Sequence, residues 1–265
     1  MFKTRLISAV FIVIFTLLFV ITGGPFLYVV SLALSLIGMM EFLRMVNIHK
    51  TLLAVIGYGA VTALYLMIYT GDLGYLVPVT VGFLMAAMLV YVVAFPKYKI
   101  DEVLYLFFGF FYAGVLLSYL YQTRMLDGGV FSVWLIFIAA WGSDTFAYCA
   151  GMLFGKHKAF PVLSPKKTWE GCIGGVLGAA LSAAIYCVIL NHFFEFSGSI
   201  LQYACVCGCG AVIAQIGDLA ASAMKRNNNI KDYGKLIPGH GGVLDRFDSI
   251  IFVAPIVYYL LKAFM

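Results

Sequence analysis

The chain has 265 residues, of which 63% are hydrophobic and only 11% charged, with a mean hydropathy of +1.02 and a formal net charge of +5. Soluble domains carry about 25% charged residues, so there are too few polar side chains here to coat a water-facing surface. A soluble fold is excluded; the bilayer is the solvent for most of the chain, and an all-α polytopic membrane protein is expected.

A helix needs roughly 20 apolar residues to cross the hydrocarbon layer. Nine segments qualify, at about 5–22, 25–46, 51–69, 75–95, 103–123, 130–153, 169–190, 199–224 and 247–264. A signal peptide is the competing reading of the first segment, which follows Lys3 and Arg5. No small-x-small cleavage pattern comes after it, so a retained helix is expected. With the N-terminus inside, all of the 17 Lys and Arg residues except Arg124 and Lys262 fall on the inner side. This bias predicts an N-in, C-out topology. The net charge is then mostly an orientation signal, and short basic loops between spans speak against a nucleic-acid partner. The six cysteines fall within spans, lack metal-finger context, and are expected to be small buried residues.

Residues 1–129 have short loops and spans almost free of ionisable groups. They are expected to form a hydrophobic scaffold facing lipid, or an oligomer surface such as that of a homodimer. Glu41 and Arg44 lie one turn apart in the second segment, where pairing and snorkelling account for them. Residues 130–265 differ, and are expected to form the catalytic membrane domain. Two longer inside loops, 155–168 and 226–246, are rich in Lys, Gly and Pro, and carboxylates enter the spans themselves. Charged groups inside a span are costly and are functional candidates by default.

In the eighth segment Gln215, Asp218, Ser222, Lys225 and Arg226 recur every three or four residues and form one polar stripe. Asp218 sits about 10 Å below the inner end at roughly 1.5 Å per residue, too deep for snorkelling. Pairing with Lys225 or with another helix is its purely structural alternative. Beyond the stripe, Gly239, Gly241 and Gly242 flank His240, so backbone N–H groups can approach an anion, and Lys225, Arg226, Lys231 and Lys235 surround them. Asp245, Arg246, Asp248 and Ser249 open the ninth segment. Glycines for close approach, cations for phosphate and carboxylates for a divalent metal are the parts that phosphoryl or nucleotidyl transfer requires.

In the sixth segment Asp144 lies about 16 Å from the inner end, so a polar cavity among the C-terminal helices is expected to reach it. At the start of the seventh, Ser164 with Pro165, or Thr168, can cap the helix and leave Lys166 and Lys167 beside its positive end. Topology alone would also account for the two lysines.

The order Ser222-x-x-Lys225-Arg226, Lys231-Asp232 and Pro238-x-His240-Gly241-Gly242-x-x-Asp245-Arg246-x-Asp248 resembles the signature of the phosphatidate cytidylyltransferase family. Trp141 to Thr145 and Leu163 to Gly171 are similar to stretches upstream of that signature. The resemblance implies CTP and phosphatidate as substrates, CDP-diacylglycerol and pyrophosphate as products, and magnesium as cofactor, with a second metal or a monovalent cation left open. It also implies a multi-pass enzyme of the inner (cytoplasmic) membrane, its active site facing the cytoplasm.

On that reading Asp218 and Asp245 are expected to ligate metal, with Asp248 near the same centre. Lys225, Arg226, Lys231 and Arg246 would hold triphosphate or lipid headgroup, and Ser222 would ligate metal or bond to phosphate. His240, Gly241 and Gly242 would approach the ligand, and Asp144, Lys166, Lys167 and Glu170 would complete the pocket wall. The alternatives are a polyprenol-type lipid kinase, a cytidylyltransferase for an ether lipid, and an anion transporter. The first is told apart by the nucleotide it releases, and the last by flux without nucleotide.

Overall fold

The computed structural model describes residues 2–194 and 196–264; the side chains of residues 2–6, with those of Lys3 and Arg5, and that of Leu73 lie outside it. These residues form nine helices and one hairpin, in the order α1 (Phe2–Thr22), α2 (Gly24–Met45), α3 (Leu52–Thr70), α4 (Leu76–Val93), α5 (Ile100–Arg124), α6 (Gly129–Phe154), β1 (Lys158–Phe160), β2 (Ser164–Thr168), α7 (Trp169–Phe193), α8 (Ile200–Asn227) and α9 (Leu244–Phe264). Eight of them, α2 to α9, are long and apolar enough to cross a membrane, and α1 adds a shorter apolar stretch over Ile7–Thr22. The all-α membrane architecture expected from composition is therefore what the chain adopts.

Local chemistry sets several ends. Thr51 precedes α3 and its hydroxyl accepts the N–H of Ala54 at 3.4 Å, while Gly71 closes the helix with φ of 75°. Thr168, not Ser164, caps α7, accepting the N–H of Gly171 at 3.2 Å. Ser164, Lys166 and Lys167 belong instead to β2, which pairs antiparallel with β1 inside the first of the two basic loops. Lys166 and Lys167 thus approach the start of α7 on an extended strand, which sets their side chains on opposite faces. Two helices carry π-helical segments, Phe110–Val115 in α5 and Ile138–Gly142 in α6. Such segments interrupt the regular ladder and often mark functional positions; the second one ends immediately before Ser143 and Asp144.

The fold groups Met1–Gln122 with Asn228–Phe247 as one compact unit, and Thr123–Asn227 with Asp248–Met265 as another. In the first unit α2, α3 and α5 pack through aromatic rings and small residues. Phe42 stands 5.4 Å from Phe108 and 6.0 Å from Tyr112 between ring centroids, and Ser35 and Tyr65 share a buried hydrogen bond of 2.7 Å. Of α4 only Phe83 and Ala87 are buried, which leaves the rest of that helix to lipid or to another protein surface.

In the second unit α6, α7 and α8 are held close by glycines. A Cβ on Gly175 would stand 2.8 Å from the carbonyl of Ser143, and one on Gly178 would enter the ring of Phe146. Without a hydrophobic drive between helices in lipid, this close backbone approach is a main source of attraction. Of the cysteines, Cys187 and Cys207 are buried as expected, but Cys149, Cys205 and Cys209 are exposed, and all six are free thiols. Cys205 and Cys209 lie four residues apart and so share an outer face of α8.

The glycine seam gives a direct test. Gly175→Leu should force α6 and α7 apart at a cost of about 1–3 kcal/mol, read as a lowered melting temperature of the purified protein in detergent. An unchanged melting temperature would show that the close approach is dispensable.

Candidate functional site

In the second unit the polar stripe of α8 meets α6, α7 and the hairpin. Gln215 donates from Nε2 to the Ser143 hydroxyl at 3.2 Å and to the carbonyl of Cys172 at 3.0 Å, tying three helices at one level. One turn later Asp218 forms an ion pair with Lys167 of β2 at 2.5 Å, the two side chains 31% and 23% exposed. Two turns away Lys225 continues the stripe. Asp248 of α9 receives the N–H of Ser249 at 2.8 Å and interacts electrostatically with Asp218, Lys225 and Asp144. Asp218 and Asp144 both repel the Asp248 carboxylate, and Lys225 and Lys167 are gathered with them, which is a strongly polar centre in so apolar a chain.

A cavity of about 300 Å³ opens beside it, lined among others by Asp144, Tyr148, Lys166, Lys167, Thr168 and Gln215. A cavity does reach Asp144, although its lining is more apolar than the polar cavity expected from the sequence. Its walls come from α6, β2, α7 and α8, and α9 contributes no lining residue. Ser222 is half-buried on α8 one turn beyond Asp218, and Arg226 is exposed near the end of the same helix.

Glu170 has a different surrounding. Its carboxylate accepts the N–H groups of Lys156 at 3.2 Å and of His157, and lies 2.6 Å from His157 Nδ1. It closes the base of the hairpin.

In the first unit the signature loop folds on itself. Ile237, Pro238, Gly239 and His240 form a turn closed by the N–H of His240 donating to the carbonyl of Ile237 at 3.0 Å, with Gly239 at φ of 77°. Proline second and glycine third are what a type II turn demands. Lys231, Lys235, His240 and Arg246 border a cup of about 640 Å³ around this turn, with Asp232 also on its rim. Nδ1 of His240 is buried with no hydrogen-bond partner among the described residues.

Behind the turn two carboxylates organise the backbone. Asp245, only 5% exposed, accepts at Oδ2 the N–H groups of Tyr233 at 2.8 Å and Gly242 at 2.9 Å. The anion that Gly242 was expected to meet is thus supplied by the protein itself. Glu41 of α2, 2% exposed, accepts the N–H of Val243 at 3.1 Å and of Leu244 at 2.9 Å, the groups that open α9. A negative charge is favoured at that helix end. Gly234 and Gly242 lie against this carboxylate so closely that a Cβ on either would collide with it.

Glu41 is therefore a residue that sequence reasoning underrated. It does not pair with Arg44 among the described residues, and Arg44 is exposed. The available signal was a lone carboxylate in an otherwise apolar span; a nearby arginine offered a local explanation, but its charge acts on Glu41 without forming an ion pair among the described residues.

A model of the cytidylyltransferase family matches residues 3–264. The chain belongs to the cytidylyltransferase family. It is similar along its whole length to proteins named phosphatidate cytidylyltransferase. The protein of Staphylococcus haemolyticus (strain JCSC1435) is 32% identical, with 98% of each chain covered. Those of Staphylococcus epidermidis (strain ATCC 12228 / FDA PCI 1200) and Staphylococcus aureus (strain COL) are 33% and 31% identical, again over 98% of both chains.

Removing the Glu41 carboxylate leaves two buried N–H groups unmet, at a cost of about 1–3 kcal/mol each. Glu41→Ala should accelerate amide hydrogen exchange across residues 231–244 while exchange in α3 stays slow. Unchanged exchange in the loop would refute the anchoring role.

Proposed function

We propose that this cytidylyltransferase moves the CMP unit of CTP onto phosphatidate, giving CDP-diacylglycerol and pyrophosphate for phospholipid synthesis. The observation that carries this reading is the gathering of Asp144, Asp218 and Asp248 with Lys167 and Lys225 in a family member whose relatives bear that activity in their names.

In the reaction a phosphate oxygen of phosphatidate attacks the α-phosphorus of CTP. The new P–O bond forms as the bond from the α-phosphorus to the bridging oxygen breaks, and pyrophosphate leaves with that electron pair. The attacking phosphate is already anionic near neutral pH, so a general base is not required. Catalysis then rests on alignment and on neutralising charge. Lys166 and Lys167 at the cavity, with Lys225 and Arg226 along α8, are assigned to the triphosphate. Tyr148 and Thr168 shape the wall against which the nucleotide would lie. Ser222, one turn from Asp218, is placed to hydrogen-bond phosphate.

The donor set suits magnesium. Carboxylate oxygens are hard donors, and this ion is held by one or two of them together with substrate phosphates and water. Among the described residues no three His, Cys, Asp or Glu side chains form a ready-made metal cage. Asp218 and Asp248 would hold the ion, which supplies charge neutralisation on the triphosphate. Asp245 is assigned to ordering the signature loop, since its Oδ2 is held by two backbone N–H groups. Gly242 and Glu170 receive structural parts for the same kind of reason.

The basic bias of the loops further supports an N-in, C-out chain in the inner membrane with this chemistry on the cytoplasmic side. CTP would then arrive from the cytoplasm and phosphatidate from the inner leaflet.

Purified protein incubated with labelled CTP, phosphatidate and magnesium should yield labelled CDP-diacylglycerol; release of CDP with a phosphorylated lipid alcohol would replace this reading with a lipid kinase. Asp218→Asn and Asp248→Asn should each lower the rate about a hundredfold or more with the melting temperature preserved, whereas near-normal turnover would remove them from the centre. A reporter fused after Met265 should be accessible only from outside the cytoplasm; cytoplasmic activity of that reporter would reverse the topology.

A further inference from the structure

The signature loop has a second face. Next to the cationic cup runs an apolar groove of about 490 Å³, walled by Phe11 and Phe15 of α1 and by Ala33, Leu34 and Ile37 of α2. The two spaces are neighbours, because Ile237, Pro238 and Arg246 border both. Ser8 of α1 donates from its hydroxyl to the carbonyl of Pro238 at 2.8 Å, which ties the groove's first wall to the turn.

The charges at this junction call for an anion. Arg246, Lys231 and Lys235 are exposed and make no ion pair among the described residues, and only Asp232 opposes them on the rim. A lysine or guanidinium group seeks phosphate in such a position, the guanidinium with two parallel N–H donors. The groove offers the opposite character, since its walls are hydrocarbon and phenyl rings. A ligand that satisfies both needs a phosphate with at least one free face, joined through a short linker to a long hydrocarbon chain. Lipids whose phosphate is masked by a large cationic headgroup fit the groove but bring their own positive charge to the cup.

We propose that this composite site binds phosphatidate, with its phosphomonoester in the cup at Arg246 and Lys231 and one acyl chain along α1 and α2. The proposal rests on the substrate reading above and adds where the lipid is held. It gives the N-terminal helices a part in substrate selection. The Pro238–Gly239 turn becomes the hinge point between headgroup and tail, which explains why the loop carries apolar Leu236 and Ile237 beside its lysines.

The test uses the full-length protein in nanodiscs and a phosphatidate bearing a photoreactive diazirine at the end of one acyl chain. Cross-linked peptides should map to α1 between Phe11 and Phe15 and to α2 between Ala33 and Ile37. Excess unlabelled phosphatidate should reduce this labelling about tenfold, and excess phosphatidylcholine should leave it unchanged. Equal competition by phosphatidylcholine, marking a groove for any bilayer lipid, would overturn the proposal, as would adducts confined to other helices. Ala33→Trp fills the groove and should suppress the same adducts, with its melting temperature showing that the fold persists; undiminished labelling in a folded variant also counts against the site. Selective labelling in a protein that forms no CDP-diacylglycerol would leave the site standing and fell the reaction. Product formation with labelling elsewhere would do the reverse.

Discussion

A carboxylate placed in an apolar helix must find donors nearby, and Glu41 finds them at the two backbone N–H groups that open α9. Both partners gain. The charge is held at a helix end that favours it, and two N–H groups with no intrahelical acceptor are satisfied. Asp245 repeats the device from within the loop, collecting the N–H groups of Tyr233 and Gly242. Between them these two acids fix residues 233 and 242–244, and the Pro238–Gly239 turn projects from that base. The glycines at 234 and 242 are explained by the same contact, because nothing larger fits beside the Glu41 carboxylate.

The acidic side chains of the polar regions then divide by what they touch. Glu41, Asp245 and Glu170 face backbone N–H groups and build loops. Asp218 faces an ammonium group, and Asp144 and Asp248 face other charges or a cavity. Glu41 and Asp245 satisfy donors that would otherwise be orphaned, which is the usual task of a buried carboxylate, and Glu170 does the same kind of work at an exposed hairpin base. The second set concentrates like charge, which costs energy unless a cation or a substrate arrives to offset it. Chemistry is expected where the local arrangement is unfavourable on its own.

This division was only half legible in the sequence. Eight of the helices follow from apolar length, and the Gln215–Asp218–Ser222–Lys225 stripe follows from helical spacing; both depend on neighbours along the chain. The depth of Asp144 likewise required a cavity, and one is there. What spacing could not supply were partners far apart in sequence. Glu41 meets Leu244 across 203 residues, so an arginine one turn away looked like the simpler match. Asp245 falls at a helix start beside Asp248, and nothing local tells that one oxygen will be taken by the N–H of Tyr233. The hairpin at 158–168 was hidden by its lysines, which read as loop, and the π-helical segment ahead of Ser143 has no sequence period of its own. Exposure of Cys205 and Cys209 was misjudged because in a lipid solvent an apolar or small residue is as much at home outside as inside.

The same lack of a hydrophobic drive explains why polar contacts and glycines carry so much of the specificity here. In water a span such as α7 would be held by burying its leucines and isoleucines, yet Ile173, Leu177 and Leu181 are exposed. Its glycines at 171, 175 and 178 face α6 and α8 instead, and Gln215 spans the gap they create. Close backbone packing fixes the level of each helix against the next to within one turn. Asp218 must sit at one level to meet Lys167, and Asp144 at one level to reach the cavity. The glycine seam is therefore part of the site's geometry, because a shift of one turn along α7 would carry β2 and both its lysines away from the stripe.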